Sequence, residues 1–315
     1  MRLKRVLFIL AVMSFVYTGT LAAETQQLIP NSSIAHVTIA GVQKDSGLNW
    51  LLDSWIHSPR KSPLRRFFSS NAPGEMSVAV FPQEDASSLN LFLAVELSGK
   101  KKIGNAMLDE IILPDTDTKV NSITYKNHIV RFVPVEETGE EFSAYTVWDD
   151  KVLVGTNIDV LKYAVDGPSV TQSAGYKKVQ SMISEDTDGF LFADNENLKF
   201  ARFLHPLEDK WKMSLLLSAE YLEWMGASFD VVDSTRVNGQ FVFQGKDTSH
   251  IDDIQDDAEF LGEAFKRKFM AEKIDYTSGV EVNGATVVLD FKIAGLKSLW
   301  EQLFEQGVLS VIRPE

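Results

Sequence analysis

The order of apolar periodicities is written twice along this chain, and that repetition limits the folds open to it. Residues 34–40 are β-rich and read as a strand. Leu48, Leu51, Leu52, Trp55 and Ile56 then fall at i, i+3, i+4, i+7 and i+8, the spacing of one helix face. A short helix is expected over 63–69, with Pro63 in its first turn. Met76 to Phe81 and the alternating Leu89 to Leu97 read as strands, Ile103 to Ile111 as a helix, and 122–135 as a hairpin turning at Lys126-Asn127. From Gly189 the order restarts. A strand to Ala193 is followed by helices over 200–207 and 215–225 and strands over 228–232 and 237–243. A helix with Ile251, Ile254, Ala258, Leu261 and Phe265 on one stripe comes next. A hairpin turning at Asn283-Gly284, expected as type I′, and a helix carrying Leu296, Leu299, Trp300, Leu303 and Phe304 close the chain. The offset from His36 to Leu191 is 155 residues and that from Asn127 to Gly284 is 157. Two landmarks that agree so closely point to an internal duplication.

The fold class implied is α+β: two tandem related halves, each a mostly antiparallel β-sheet with helices packed on one face. Residues 24–167 form the first half, with an extra hairpin over 144–155 and a helix over 158–165. Residues 168–315 form the second, opening on a polar linker over 169–175.

Residues 1–23 read as an export signal. Arg2, Lys4 and Arg5 precede an apolar run from Val6 to Val16, and Thr20-Leu21-Ala22-Ala23 offers small residues for cleavage at Ala22 or Ala23. The run is shorter than the roughly 20 apolar residues a spanning helix needs. The expected location is therefore periplasmic or extracellular, soluble after signal removal. The chain has no cysteine, which removes disulfides, zinc–thiolate sites, thiol nucleophiles and a lipidated N-terminal cysteine. Its net charge is −13, or −16 without the three basic residues of the signal, so phosphate backbones are repelled and nucleic acid is not an expected partner.

The hairpin from Tyr145 through Trp148, Asp149, Asp150 and Val154 to Gly155 is followed by Thr156 and Asn157. These lead into the helix from Ile158 to Val165, which ends at Asp166-Gly167. This unit resembles one found in bacterial exported tandem α+β repeat proteins known only as domains of unknown function. The stretch from Leu216 through Gly226 to Phe243 is similar to the same group. The resemblance covers about half of the chain beyond the signal. It implies an exported tandem α+β module and carries over no activity and no site residue.

No catalytic, metal or cofactor signature stands out. Ser184 to Asn195 matches a calcium loop at Gly189 but has Ser184 at position 1 and Asn195 at position 12, so it reads as a solvated turn. Asp252, Asp253, Asp256, Asp257 and Glu259 suit the positive start of a helix. The five histidines are scattered, and His36, in an apolar strand, is expected to be a hydrogen-bonded core or edge residue. Ser58 with Lys61 and Ser98 with Lys101 match Ser-x-x-Lys without the companion motifs of that chemistry. Two basic, aromatic stretches are candidate contacts for a partner or lipid: Arg60, Lys61, Arg65, Arg66, Phe67 and Phe68, and then Lys266, Arg267 and Lys268 beside Phe265, Phe269 and Met270. The function expected is a non-enzymatic module that binds a protein partner or envelope component. Carriage of an apolar ligand or lipid in a helix–sheet groove, with peripheral membrane contact, is the alternative, and a hydrolase with a spatially assembled site is the third.

Overall fold

The structure, a computed structural model, describes residues 25–39, 73–82, 89–97, 108–109, 120–133, 144–183, 187–204, 217–233, 235–271 and 273–295. The signal with Ala22 and Ala23, the helices expected over 48–56 and 63–69, the stretch Arg60 to Phe68, and the closing helix from Leu296 lie outside the described residues.

Among the described residues twelve strands, accompanied by helices, form one antiparallel sheet. They are β1 (Ala35–Ile39), β2 (Pro73–Pro82), β3 (Leu89–Leu97), β4 (Asn121–Tyr125), β5 (His128–Phe132), β6 (Ala144–Trp148), β7 (Lys151–Gly155), β8 (Gly189–Asp194), β9 (Leu222–Asp233), β10 (Arg236–Gly245), β11 (Asp275–Asn283) and β12 (Thr286–Ala294). Their order across the sheet is β11-β12-β10-β9-β8-β1-β2-β3-β7-β6-β5-β4. Three helices accompany them: α1 (Ile158–Asp166), α2 (Ala174–Met182) and α3 (Ile251–Ala271). Residues 199–204 add a further helical stretch.

Local chemistry accounts for many boundaries. Lys126 and Asn127 both have positive φ, as a type I′ turn requires. The Asn157 side chain accepts from the Asp159 and Val160 N–H groups at 3.0 and 2.9 Å and so caps α1. Ser173 caps α2 by accepting from the Tyr176 N–H. α3 begins with Asp252 and Asp253 and has Lys268 in its last turn, as the helix dipole favours.

Strand register aligns Gly155, Phe92, Ala79, His36, Phe192, Gly226 and Val242 in one row across the sheet. Side chains in such a row share a face. α1 and α2 cover that face: a Cβ on Gly155 would lie 3.2 Å from Leu161, and one on Gly226 would lie 2.5 Å from Val179. α3 packs on the opposite face, where a Cβ on Gly262 would meet Leu289 at 3.3 Å. The expectation of separate sheets with helices on one face is thus corrected. β1 pairs with β8, which makes one sheet, and helices lie on both sides of it. Phe192 and Ala193 show why: these neighbours on a central strand point to opposite faces and both are fully buried, so each face needs a cover.

Three local expectations also change. Leu222 to Met225, expected at the end of a helix, begins the long strand β9. The linker expected over 169–175 contains a 3₁₀ turn, Val170–Gln172, and the start of α2. In the β11–β12 hairpin Asn283 pairs with Thr286, so the loop is Gly284-Ala285 and only Gly284 has positive φ, the pattern of a II′ turn.

Candidate functional site

The outer margin of the second half gathers the features that suit recognition. α3 runs over β11 and β12 and buries Ile254 and Ala258 beneath it. At its C-terminal end a shallow aromatic crease is lined by Phe241, Phe265, Phe269, Tyr276, Phe291 and Ile293. The Phe269 and Tyr276 rings stack at 5.5 Å, and Phe241 meets Phe291 at 5.5 Å. Lys266, Arg267 and Lys268 sit on the same helix end. Lys266 is half-buried and pairs with Glu263 at 3.0 Å, while Arg267 and Lys268 are exposed. Phe260 and Met270 of α3 are 55% and 64% exposed, high values for large apolar side chains.

β11 forms the sheet margin beside this helix. Among the described residues it pairs only with β12, and all but Tyr276 and Val280 of its nine residues are exposed. The opposite margin is β4, only five residues long. A long, exposed edge strand offers a row of backbone donors and acceptors to another chain, whereas a short one offers little.

A second cluster lies buried at the centre of the sheet, under residues 25–29. The Thr25 N–H donates to Glu75 Oε1 at 2.8 Å, and the Thr25 hydroxyl also bonds that carboxyl. Hydroxyl contacts continue from Thr25 to Ser77 at 2.7 Å and from Ser77 to Thr38 at 2.8 Å. Tyr176 of α2 donates its hydroxyl to the Gln26 side-chain oxygen. Burial pushes the Glu75 carboxyl above its ordinary range against the pull of the Thr25 hydrogen bonds. His36 lies on the same face, 1% exposed, stacked on Tyr176 at 5.7 Å and flanked by Phe190 and Phe192. Among the described residues neither ring nitrogen has a hydrogen-bond partner, and burial holds the imidazole down to about 3. The expectation of a hydrogen-bonded His36 is corrected: it is core, but unsatisfied.

Two of the acidic residues noted in the sequence, Asp188 and Asp257, and Asn195 beside them, hold the scaffold. Asp188 accepts from the Val231 N–H, and Asn195 donates to the Ala219 and Leu222 carbonyls while accepting from the Ala201 N–H. Asp257 accepts from both the N–H and the hydroxyl of Ser218 at 2.6 Å. Among the described residues no three His, Asp or Glu side chains converge as a metal site. Lys266 to Lys268 stand out in the sequence as candidate contacts and the β11 margin does not, because neither neighbour nor edge status is encoded in a strand's own residues. Comparison with protein families, with curated proteins and with solved structures finds no match to this chain.

Proposed function

We propose that this protein is an exported, non-enzymatic binding module that recognises a protein partner or envelope component by adding one of its strands to β11. The observation that carries this is the nine-residue edge strand, exposed along most of its length and flanked by the basic, aromatic end of α3. Strand addition draws affinity from main-chain hydrogen bonds and specificity from side-chain pockets beside the edge. Here the exposed Phe260 and Met270 of α3 supply apolar contact, and Arg267 and Lys268 supply positive charge on an acidic molecule. Export rests on the basic, apolar and small-residue succession of residues 1–23. No described helix is long and apolar enough to cross a membrane.

The same reading includes a duplicated scaffold. Read outward from β1 the order is β1-β2-β3-β7-β6, and outward from β8 it is β8-β9-β10-β12-β11. These orders match element by element, which supports two related halves meeting at the β1–β8 seam. On this match the surplus hairpin is β4–β5, since β7 lies beside β3 as β12 lies beside β10.

A photo-crosslinking residue at Glu281 tests the proposal in cells. A discrete adduct is expected, absent from a control at Asp159 on α1 and lost when Val280→Pro is added. Loss of nothing on that change, or no adduct at all, rejects the edge as the binding site.

A further inference from the structure

Resting on the β11 reading, we infer that the partner at this edge is a second copy of the same chain, joined antiparallel about a twofold axis through Gly279. A two-residue loop closes on a hydrogen-bonded pair, Asn283 with Thr286. Alternation then turns the backbone groups of Asn283, Glu281, Gly279, Thr277 and Asp275 toward β12. Those of Val282, Val280, Ser278 and Tyr276 point outward. A twofold at Gly279 joins these outward groups to one another: Ser278 to the partner copy's Val280, and Tyr276 to its Val282. Gly279 itself meets its copy as a non-hydrogen-bonded pair, the closer of the two antiparallel spacings, at about 4.5 Å between Cα atoms. Glycine is suited to that approach, and its Cβ position is open, with no atom within 4 Å.

The side chains agree with this register. On the α3 face, Tyr276 lies opposite Val282, an aromatic with a β-branched residue, and the 43%-exposed Val282 becomes covered. On the other face Asp275 lies opposite Asn283 and Glu281 opposite Thr277, so no acid faces an acid. The whole strand from Asp275 to Asn283 is paired. The helices follow. A Cβ on Gly262 would lie 3.0 Å from the Ser278 hydroxyl and 3.3 Å from Leu289, so the middle of α3 sits over β11 and β12, beside the axis and level with it. The twofold sets α3 antiparallel to its copy, with acidic Asp252, Asp256 and Glu259 toward basic Lys266, Arg267 and Lys268. Such a self-complementary patch is what an isologous dimer requires.

Sedimentation velocity of the purified protein over a concentration series tests this. The expected result is a doubling of mass for the native sequence. Gly279→Lys alone and Gly279→Glu alone should each stay monomeric, because like charges meet at the axis. An equimolar mixture of the two should regain the doubled mass, which also shows that both variants are folded. A native protein that stays monomeric throughout, or a Gly279→Lys variant that still dimerises, overturns the second copy as partner. If a Glu281 crosslink to a different protein accompanies a monomeric native chain, the edge reading survives and the self-pairing falls.

Discussion

The two faces of the sheet handle buried polar groups in opposite ways. On the α3 face, Asn195 and Asp257 are buried and each bonds loop backbone: Asn195 to Ala219, Leu222 and Ala201, and Asp257 to the N–H of Ser218 besides its hydroxyl. On the α1–α2 face the side-chain hydroxyls of Thr38, Ser77 and Thr25 bond one another in a chain that reaches the Glu75 carboxyl, and among the described residues His36 has no hydrogen-bond partner. The difference teaches that burial alone does not tell whether a polar side chain supports the fold. Asn195 and Asp257 hold loops that have no ladder of their own. His36 is carried at a cost, since an unpaired buried polar group loses its hydration without compensation.

The largest effect is expected from Asn195→Ala. It strips two carbonyls and one N–H of their partners inside the core, and unsatisfied buried groups cost roughly 1–3 kcal/mol each. A loss of about 3–5 kcal/mol in urea-measured unfolding free energy is expected, because some of these groups relax toward water. A loss below about 1 kcal/mol would erase the contrast between the faces.

His36→Phe sharpens the contrast from the other side. The folded imidazole titrates near 3 and the unfolded one at its ordinary 6.5, so unfolding takes up a proton between those values. This contribution to stability is intact above 6.5 and is lost as pH falls toward 3. The native protein should therefore lose stability at up to about 1.4 kcal/mol per pH unit in that window, and His36→Phe should flatten this slope. At neutral pH the change should be neutral or stabilising, as Phe removes two unpaired nitrogens among Tyr176, Phe190 and Phe192. Thermal melts of both proteins across that pH range decide it.

The smallest shift is expected from Glu75→Gln. The Glu75 carboxyl is raised by burial, so the native state prefers it protonated, and its contribution is present at low pH and fades as pH rises past the unfolded value. Gln keeps an acceptor for the Thr25 N–H without the charge. At neutral pH the variant should melt above the native protein, and below the ordinary carboxylate range the two proteins should melt together.

Much of the fold was legible where one residue type decides a local geometry. Lys126-Asn127 marked a turn, and the Ile251 to Phe265 stripe a helix. The strand at Leu222 to Met225 was hidden because Trp224 and Met225 are both buried, on opposite faces, and a strand apolar on both sides shows no alternation. α2 was hidden by Gly175, which reads as a loop residue. In the fold, the Phe192 and Trp224 rings come within 3.3 Å of where its Cβ would stand. The β1–β8 seam and the isolation of His36 depend on residues far apart in the chain, beyond the reach of local pattern. Of the candidate contact surface, the basic residues were visible and the margin they border was not.

β1 has one more consequence, for the order of events as the chain is made. Of the described strands it is the first to be synthesised, yet it ends at the centre of the sheet, between β2 and β8. Until Gly189 to Asp194 has been synthesised, one side of β1 stands open, with the apolar Ala35 and Val37 uncovered on one of its surfaces. A nascent chain held in that state is a template for mispairing. Speed of elongation past the eighth strand, more than any contact in the finished molecule, would then govern how much of the product escapes aggregation.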